Sequence, residues 1–269
     1  MPFDRKSRAL THSRSRRFAA LALSAPLLAG LTMSWGSASA QGEVRIATLS
    51  LLGDKLSAVT QQSRTGTRIS QNVVDDLQLP AGVLDGTAVS ALTDAVLKAD
   101  ATAKVAPLKL ASSQALGDPD RLFSGAKFQV PAQLDPILKQ LSATHLLVLT
   151  AYRAPAKVQG WRDGIGSGSL EGMGFYLDRE LRMKNTDTGQ QQVGYIAPFT
   201  YYKVWLVGLS DGAILGSAPV AHAEILSSAD LSGAGDPWDT FSTKQKMELL
   251  DQMLKKDLES VVPGLLKKK

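Results

Sequence analysis

Residues 44–50 (V-R-I-A-T-L-S) alternate apolar and polar side chains, the pattern of a half-buried strand. Leu52-Gly53-Asp54 turns into a second strand over 56–62, and Ser63-Arg64-Thr65-Gly66 into a third over 67–74. Three short strands with glycine-bearing connections predict an N-terminal meander. The period then changes. Leu84, Ala88, Ala91, Leu92, Ala95, Val96 and Ala99 recur at three- and four-residue steps, which makes 84–99 an amphipathic helix. A strand over 105–110 and a loop around Gly117-Asp118-Pro119 follow. Leu134, Ile137, Leu138 and Leu141 mark a shorter helix, with Pro131 and Pro136 near its start. It leads into 144–152 (T-H-L-L-V-L-T-A-Y), an apolar run that suits a strand covered on both faces.

Residues 154–174 are the least regular part, with five glycines from Gly164 to Gly174. The next strand, 175–184, is expected to put Phe175, Leu177, Leu181 and Met183 on one face and Asp178, Glu180, Arg182 and Lys184 on the other. N-T-D-T-G at 185–189 closes a hairpin. A buried strand over 201–209 turns at Ser210-Asp211-Gly212 into 213–226. A final helix over 243–262 is capped by Ser242 with Gln245 three residues on, carries a stripe of Met247, Leu250, Leu254 and Leu258, and is stopped by Pro263-Gly264. There is no repeat and no second core. The order predicts a single α+β (mixed α/β) domain over 41–269: an N-terminal meander, a central mixed sheet with two to three packing helices, and a C-terminal helix.

The first forty residues stand apart. Arg5, Lys6, Arg8, Arg14, Arg16 and Arg17 precede a sixteen-residue, largely apolar run over 18–33, and Ala38-Ser39-Ala40 precedes Gln41. A basic start, a short apolar stretch and a small-x-small site are the marks of a cleaved export signal, so 1–40 is expected to be removed and the rest to act in the periplasm or outside the cell. The run is shorter than the roughly 20 residues of a membrane-spanning helix. Its removal changes the charge balance. Residues 1–40 hold six of the 30 Lys and Arg and one of the 25 Asp and Glu, which leaves 24 of each sign. A neutral chain has no electrostatic footprint for nucleic acid. The chain has no cysteine, which excludes a lipidated Cys, a disulfide and a thiolate metal site. No membrane anchor is therefore expected after cleavage.

Two segments carry a family resemblance. Residues 138–149 (L-K-Q-L-S-A-T-H-L-L-V-L) run a helix into a buried strand, and 204–215 (V-W-L-V-G-L-S-D-G-A-I-L) join two long strands at a D-G-x-I-L turn. This pattern resembles a group of bacterial envelope domains. The group includes the periplasmic domain of the curli secretion lipoprotein, the lipoprotein activators of penicillin-binding proteins and the N-terminal domain of the Tol-system propeller protein. The resemblance implies an assembly or scaffold role with an envelope protein or peptide partner, and brings no catalytic residues. Two features depart from the group: the lipid-bearing Cys is missing, and the glycine-rich stretch 160–174 has no counterpart.

Candidate chemistry is sparse. Gly53-Asp54-Lys55-Leu56 is similar to a lipase Gly-Asp-Ser-Leu block, but Lys55 stands where the nucleophile belongs and Pro219 where an Asp should precede His222. A turn accounts for Gly53-Asp54. Beyond the signal the chain has two histidines, His145 and His222, each in a predicted strand, too few for the three or four ligands of a metal site. Gly164-Ile165-Gly166-Ser167-Gly168 lacks the spacing of a phosphate loop. Asp75-Asp76 and the Asp236/Asp239 pair read as solvated loop carboxylates. No metal or cofactor is expected. The best candidate is a partner-binding patch in 154–176, formed by Trp161, Arg162, Met173, Phe175 and Tyr176, because aromatic side chains and Arg are favoured at contact surfaces. The expected role is a non-enzymatic accessory or interaction protein of the envelope. Two alternatives stay open: a hydrolase using a Ser with His145 or His222, and a small-ligand binder with the glycine loop as lid.

Overall fold

A computed structural model describes residues 43–62, 72–111, 116–159, 165–184, 189, 191–226 and 236–269. In chain order these form β1 (Arg45–Leu51), β2 (Lys55–Thr60), β3 (Val73–Gln78), α1 (Val83–Ala99), β4 (Lys104–Leu108), the one-turn α2 (Pro119–Leu122), β5 (Phe123–Ser124), β6 (Lys127–Phe128) and α3 (Asp135–Gln140). There follow β7 (His145–Ala151), β8 (Ala154–Pro155), β9 (Ser169–Leu170), β10 (Gly172–Lys184), β11 (Gln191–Gly208), β12 (Ile214–Ala223), a 3₁₀ turn (Pro237–Thr240) and α4 (Thr243–Leu266). The α+β class is as expected.

The main sheet has eight strands, but its registers give it five columns. Along one side of β11, β7 and β10 lie end to end, with Ala151 opposite Tyr202 and Gly172 opposite Tyr201. Along the other side runs β12, from Phe199 to Val207 of β11. β1 and β2 also lie end to end, β1 parallel on β7 and β2 parallel on β10. The outer column is β4, parallel on β1, and β3, antiparallel on β2. The predicted meander is thus corrected. β1 and β2 do not pair with each other; they are one interrupted strand, broken at Leu52-Gly53-Asp54.

That break is fixed by helix α1. The buried Asp85 carboxylate accepts from Ser50 Oγ at 2.6 Å, from Leu52 N at 2.9 Å and from Gly53 N at 3.3 Å. One residue on, Asp54 Oδ1 accepts from Gly82 N at 2.7 Å, and Gly82 (φ 73) opens α1. Gly53-Asp54 is structural, and both carboxylates hold the strand break to the helix.

Period-2 alternation sorts the side chains to two faces. Ile46, Leu56, Leu149, Phe175, Tyr202 and Leu206 meet α1 and α4 in one core. On the other face, Leu49, Leu146, Val148 and Val207 pack under α3 and the β5–β6 hairpin, and Tyr176, Tyr195, Phe199 and Tyr201 against Ala156, Val158, Ile165 and Leu170. The sheet is covered on both sides.

Several boundaries differ from the sequence reading. Most of the expected strand 67–74 lies outside the described residues, and β3 runs later, taking in Asp75 and Asp76. The expected hairpin tip 185–188 also lies outside them. β10 is bulged between Asp178 and Arg182, where Asp178 Oδ1 accepts from Glu180 N and Leu181 N, both at 2.8 Å. The bulge breaks the alternation, and Leu181 is exposed. β11 begins ten residues earlier than expected, since Gly194 and Pro198 disguise its first half. α4 runs through Pro263 to Leu266, because Leu265 and Leu266 bury their side chains and hold the last turn on the sheet. Its Ser242–Gln245 capping box is formed as expected.

Candidate binding cleft

Residues 152–171 interrupt the β7–β10 column at the level where Leu52-Gly53-Asp54 interrupts β1–β2. The described parts of this insertion are held down. Ala154 pairs with Leu170 and Pro155 with Ser169, and a second antiparallel bridge joins Val158 to Ile165. Ala156, Val158 and Leu170 are buried against the tyrosines of the sheet. Tyr201 Oη accepts from Lys157 N at 3.1 Å.

Tyr176 fixes the glycine-rich part. Its hydroxyl accepts from Ser167 N at 2.9 Å and donates to Gln61 Oε1. Asn72 Nδ2 donates to Ser167 O at 2.6 Å, and a side chain on Gly168 (φ 77) would meet that amide at 2.7 Å. The glycines let the backbone approach the sheet edge closely.

The predicted patch is therefore corrected in part. Met173, Phe175 and Tyr176 are all buried, at 3%, 1% and 0% exposure. Alternation drives this, since Met173 and Phe175 face the helices and Tyr176 the insertion. Phe175 also meets Trp238 edge-to-face at 5.7 Å between centroids. These two rings and the thioether are core. Trp161 and Arg162 lie outside the described residues.

At the foot of the insertion a cleft of about 300 Å³ opens over the seam between the column halves. Lys55 and Ser57 of β2, Asp76 of β3, and Arg153, Ser169 and Glu171 of the insertion ring it. Leu52, Val59, Val74, Ala151 and Met173 supply the apolar remainder. Lys55 Nζ donates to Asp76 Oδ2 at 2.8 Å, and Arg153 Nη1 stands 3.8 Å from Glu171 Oε2. Two cations and two anions thus share one rim. All four side chains are more than a third exposed, so each pair contributes little to stability and stays free to exchange partners. Sequence reasoning located the insertion but missed Lys55, Asp76 and Arg153, because strand pairing alone brings β2 and β3 to its foot.

The histidines fall elsewhere. His222 Nδ1 donates to Asp257 Oδ1 at 2.8 Å, and Asp257 Oδ2 accepts from Thr200 Oγ1 at 2.6 Å. The hydrogen bond to Asp257 holds His222 above its ordinary pKa, against the opposing effect of burial. Its Nε2 faces Glu224 Oε2 at 3.7 Å rather than a hydroxyl. Thr200 is fully buried and bonds the carboxylate, not the imidazole. His145 Nδ1 meets Thr144 Oγ1 at 2.9 Å, and burial, then the Lys269 charge, push its pKa down. Among the described residues neither imidazole is set between a nucleophile and a carboxylate, the arrangement that hydrolysis by a Ser with His145 or His222 needs. No group of three or more His, Asp or Glu there is placed to hold a metal.

No protein-family model and no curated protein matches this chain. A crystal structure of a Xanthomonas campestris protein, assigned to the family DUF330, aligns with 84% of this chain and 84% of its own. The identity is 12% and the TM-score 0.37.

Proposed function

We propose that this chain acts after export as a non-enzymatic interaction protein of the bacterial envelope, and that its partner is an extended polypeptide segment held at the seam cleft. The cleft carries the reading. It sets paired opposite charges around an apolar floor, which suits a peptide that offers a charged side chain of each sign about an apolar one. The basic, apolar and small-x-small features of 1–40 support export. The resemblance of 138–149 and 204–215, now α3–β7 and β11–β12, to envelope assembly domains supports a scaffold role.

Two measurements test it. Residues 1–40 fused to a reporter active only outside the cytoplasm should switch it on; an inactive fusion removes the envelope from the proposal. A photo-crosslinking amino acid at Ser169, on the cleft rim, should trap a discrete partner in intact cells, while one at Lys267, which does not line the cleft, should not. The trap should vanish in the K55E/R153E background with the melting temperature preserved. Crosslinking unaffected by the double charge reversal refutes the cleft as the contact.

A further inference from the structure

A second cavity lies on the helix side of the sheet, between α1 and α4. It is an open pocket of about 350 Å³ and its lining is mostly apolar, with Leu84, Leu250 and Leu254 as walls and Met173 and Met247 beside them. Two thioethers give the wall an adaptable shape, since methionine re-packs at little cost. Thr87, Glu248 and Asp251 supply the polar part of the lining. Both carboxylates have lysine partners one turn away on α4, Lys244 at 3.7 Å from Glu248 and Lys255 at 2.7 Å from Asp251. Neither lysine lines the cavity, so the surface a ligand meets is apolar inside, with two carboxylates at the rim whose exposed lysine partners a cationic head can replace.

We infer that this pocket binds a small amphiphile with a short alkyl tail and a cationic head group. The volume and apolar walls suit a small-molecule site with few polar groups. The rim selects the sign of the head, because a carboxylate-bearing ligand meets two like charges and an ammonium meets two opposite ones. The inference is independent of the peptide cleft, with which the pocket shares only Met173.

Methyl-labelled methionine makes the test direct. Decyltrimethylammonium, titrated below its micelle concentration, should shift the Met247 and Met173 methyl resonances saturably. Decyl sulfate should bind about tenfold more weakly or worse. E248K/D251K should reverse that preference, and T87W, which places a ring across the mouth, should abolish both titrations without lowering the melting temperature. Equal affinity for the two head groups overturns the proposal. So does a shift at Met173 without one at Met247, because Met173 also lines the cleft and Met247 does not.

Discussion

His222 on strand β12 and Asp257 on helix α4 are joined by a 2.8 Å hydrogen bond that ties the last column of the sheet to the C-terminal helix. Thr200 bonds the same carboxylate from the neighbouring strand, so one aspartate fastens two strands to α4.

This tie makes stability depend on pH in a defined direction. The folded pKa of His222 is raised, chiefly by the Asp257 hydrogen bond, so its contribution is fully present below the unfolded value of about 6.5. It is lost as pH rises through the higher folded value. His145, lowered by burial, acts with the opposite sign. Comparing wild type with His222→Gln cancels the other groups. In urea unfolding from pH 5.5 to 8.5, the wild-type advantage should shrink as pH rises; a constant or growing advantage contradicts the assignment.

Gly174 of β10 lies directly against Ser57 of β2, with no room for a side chain between them. A Cβ there would lie 2.8 Å from both the nitrogen and the carbonyl carbon of Ser57, and closer still to its oxygen. Gly174→Ala must push two paired strands apart and should cost about 2–4 kcal/mol. Gly53 provides the contrast. It has φ +87 but open space around it, so Gly53→Ala should cost only about 1 kcal/mol of backbone strain. Chemical denaturation of the two variants checks the order.

Asp85 is the acceptor for three donors at the β1–β2 break. Asp85→Ala leaves buried donors without it and should destabilise by about 2–4 kcal/mol. Asp85→Asn, which keeps one acceptor oxygen, should lose less. Because Leu52 and Lys55, on either side of the break, line the cleft, backbone amide shifts in the Ala variant should concentrate at Leu52, Gly53 and Lys55. A uniform loss of stability with no local shift there argues against the pinning role.

Pro263 lies inside α4 and lacks the N–H that would bond one turn back. Pro263→Ala should restore that bond and raise stability by about 1–2 kcal/mol. A melting temperature unchanged or lowered means the proline contributes more through the unfolded chain than it costs in the helix.

Elements with a strong local pattern were legible from the residues alone. α1 carries its apolar stripe, β7 its continuous apolar run, and α4 its Ser242–Gln245 box, and each is a matter of spacing within one segment. The first half of β11 was hidden because Gly194 and Pro198 are locally poor strand residues, tolerated here by cross-strand packing on β10. The helix stop at Pro263 misled for a related reason, since burial of Leu265 and Leu266 outweighs a local breaker.

By itself the sequence determined the α+β class, the main helices and strands, the balanced charge of residues 41–269 and the absence of thiol chemistry. These follow from composition and short-range periodicity. Only the tertiary structure decided that β1 and β2 are one broken strand, that Phe175 and Tyr176 are core, and that Lys55 and Arg153 share a cleft. Those outcomes depend on which strands pair, at what register, and which face a neighbour covers. Such choices are made between residues about a hundred positions apart, where no local pattern reaches.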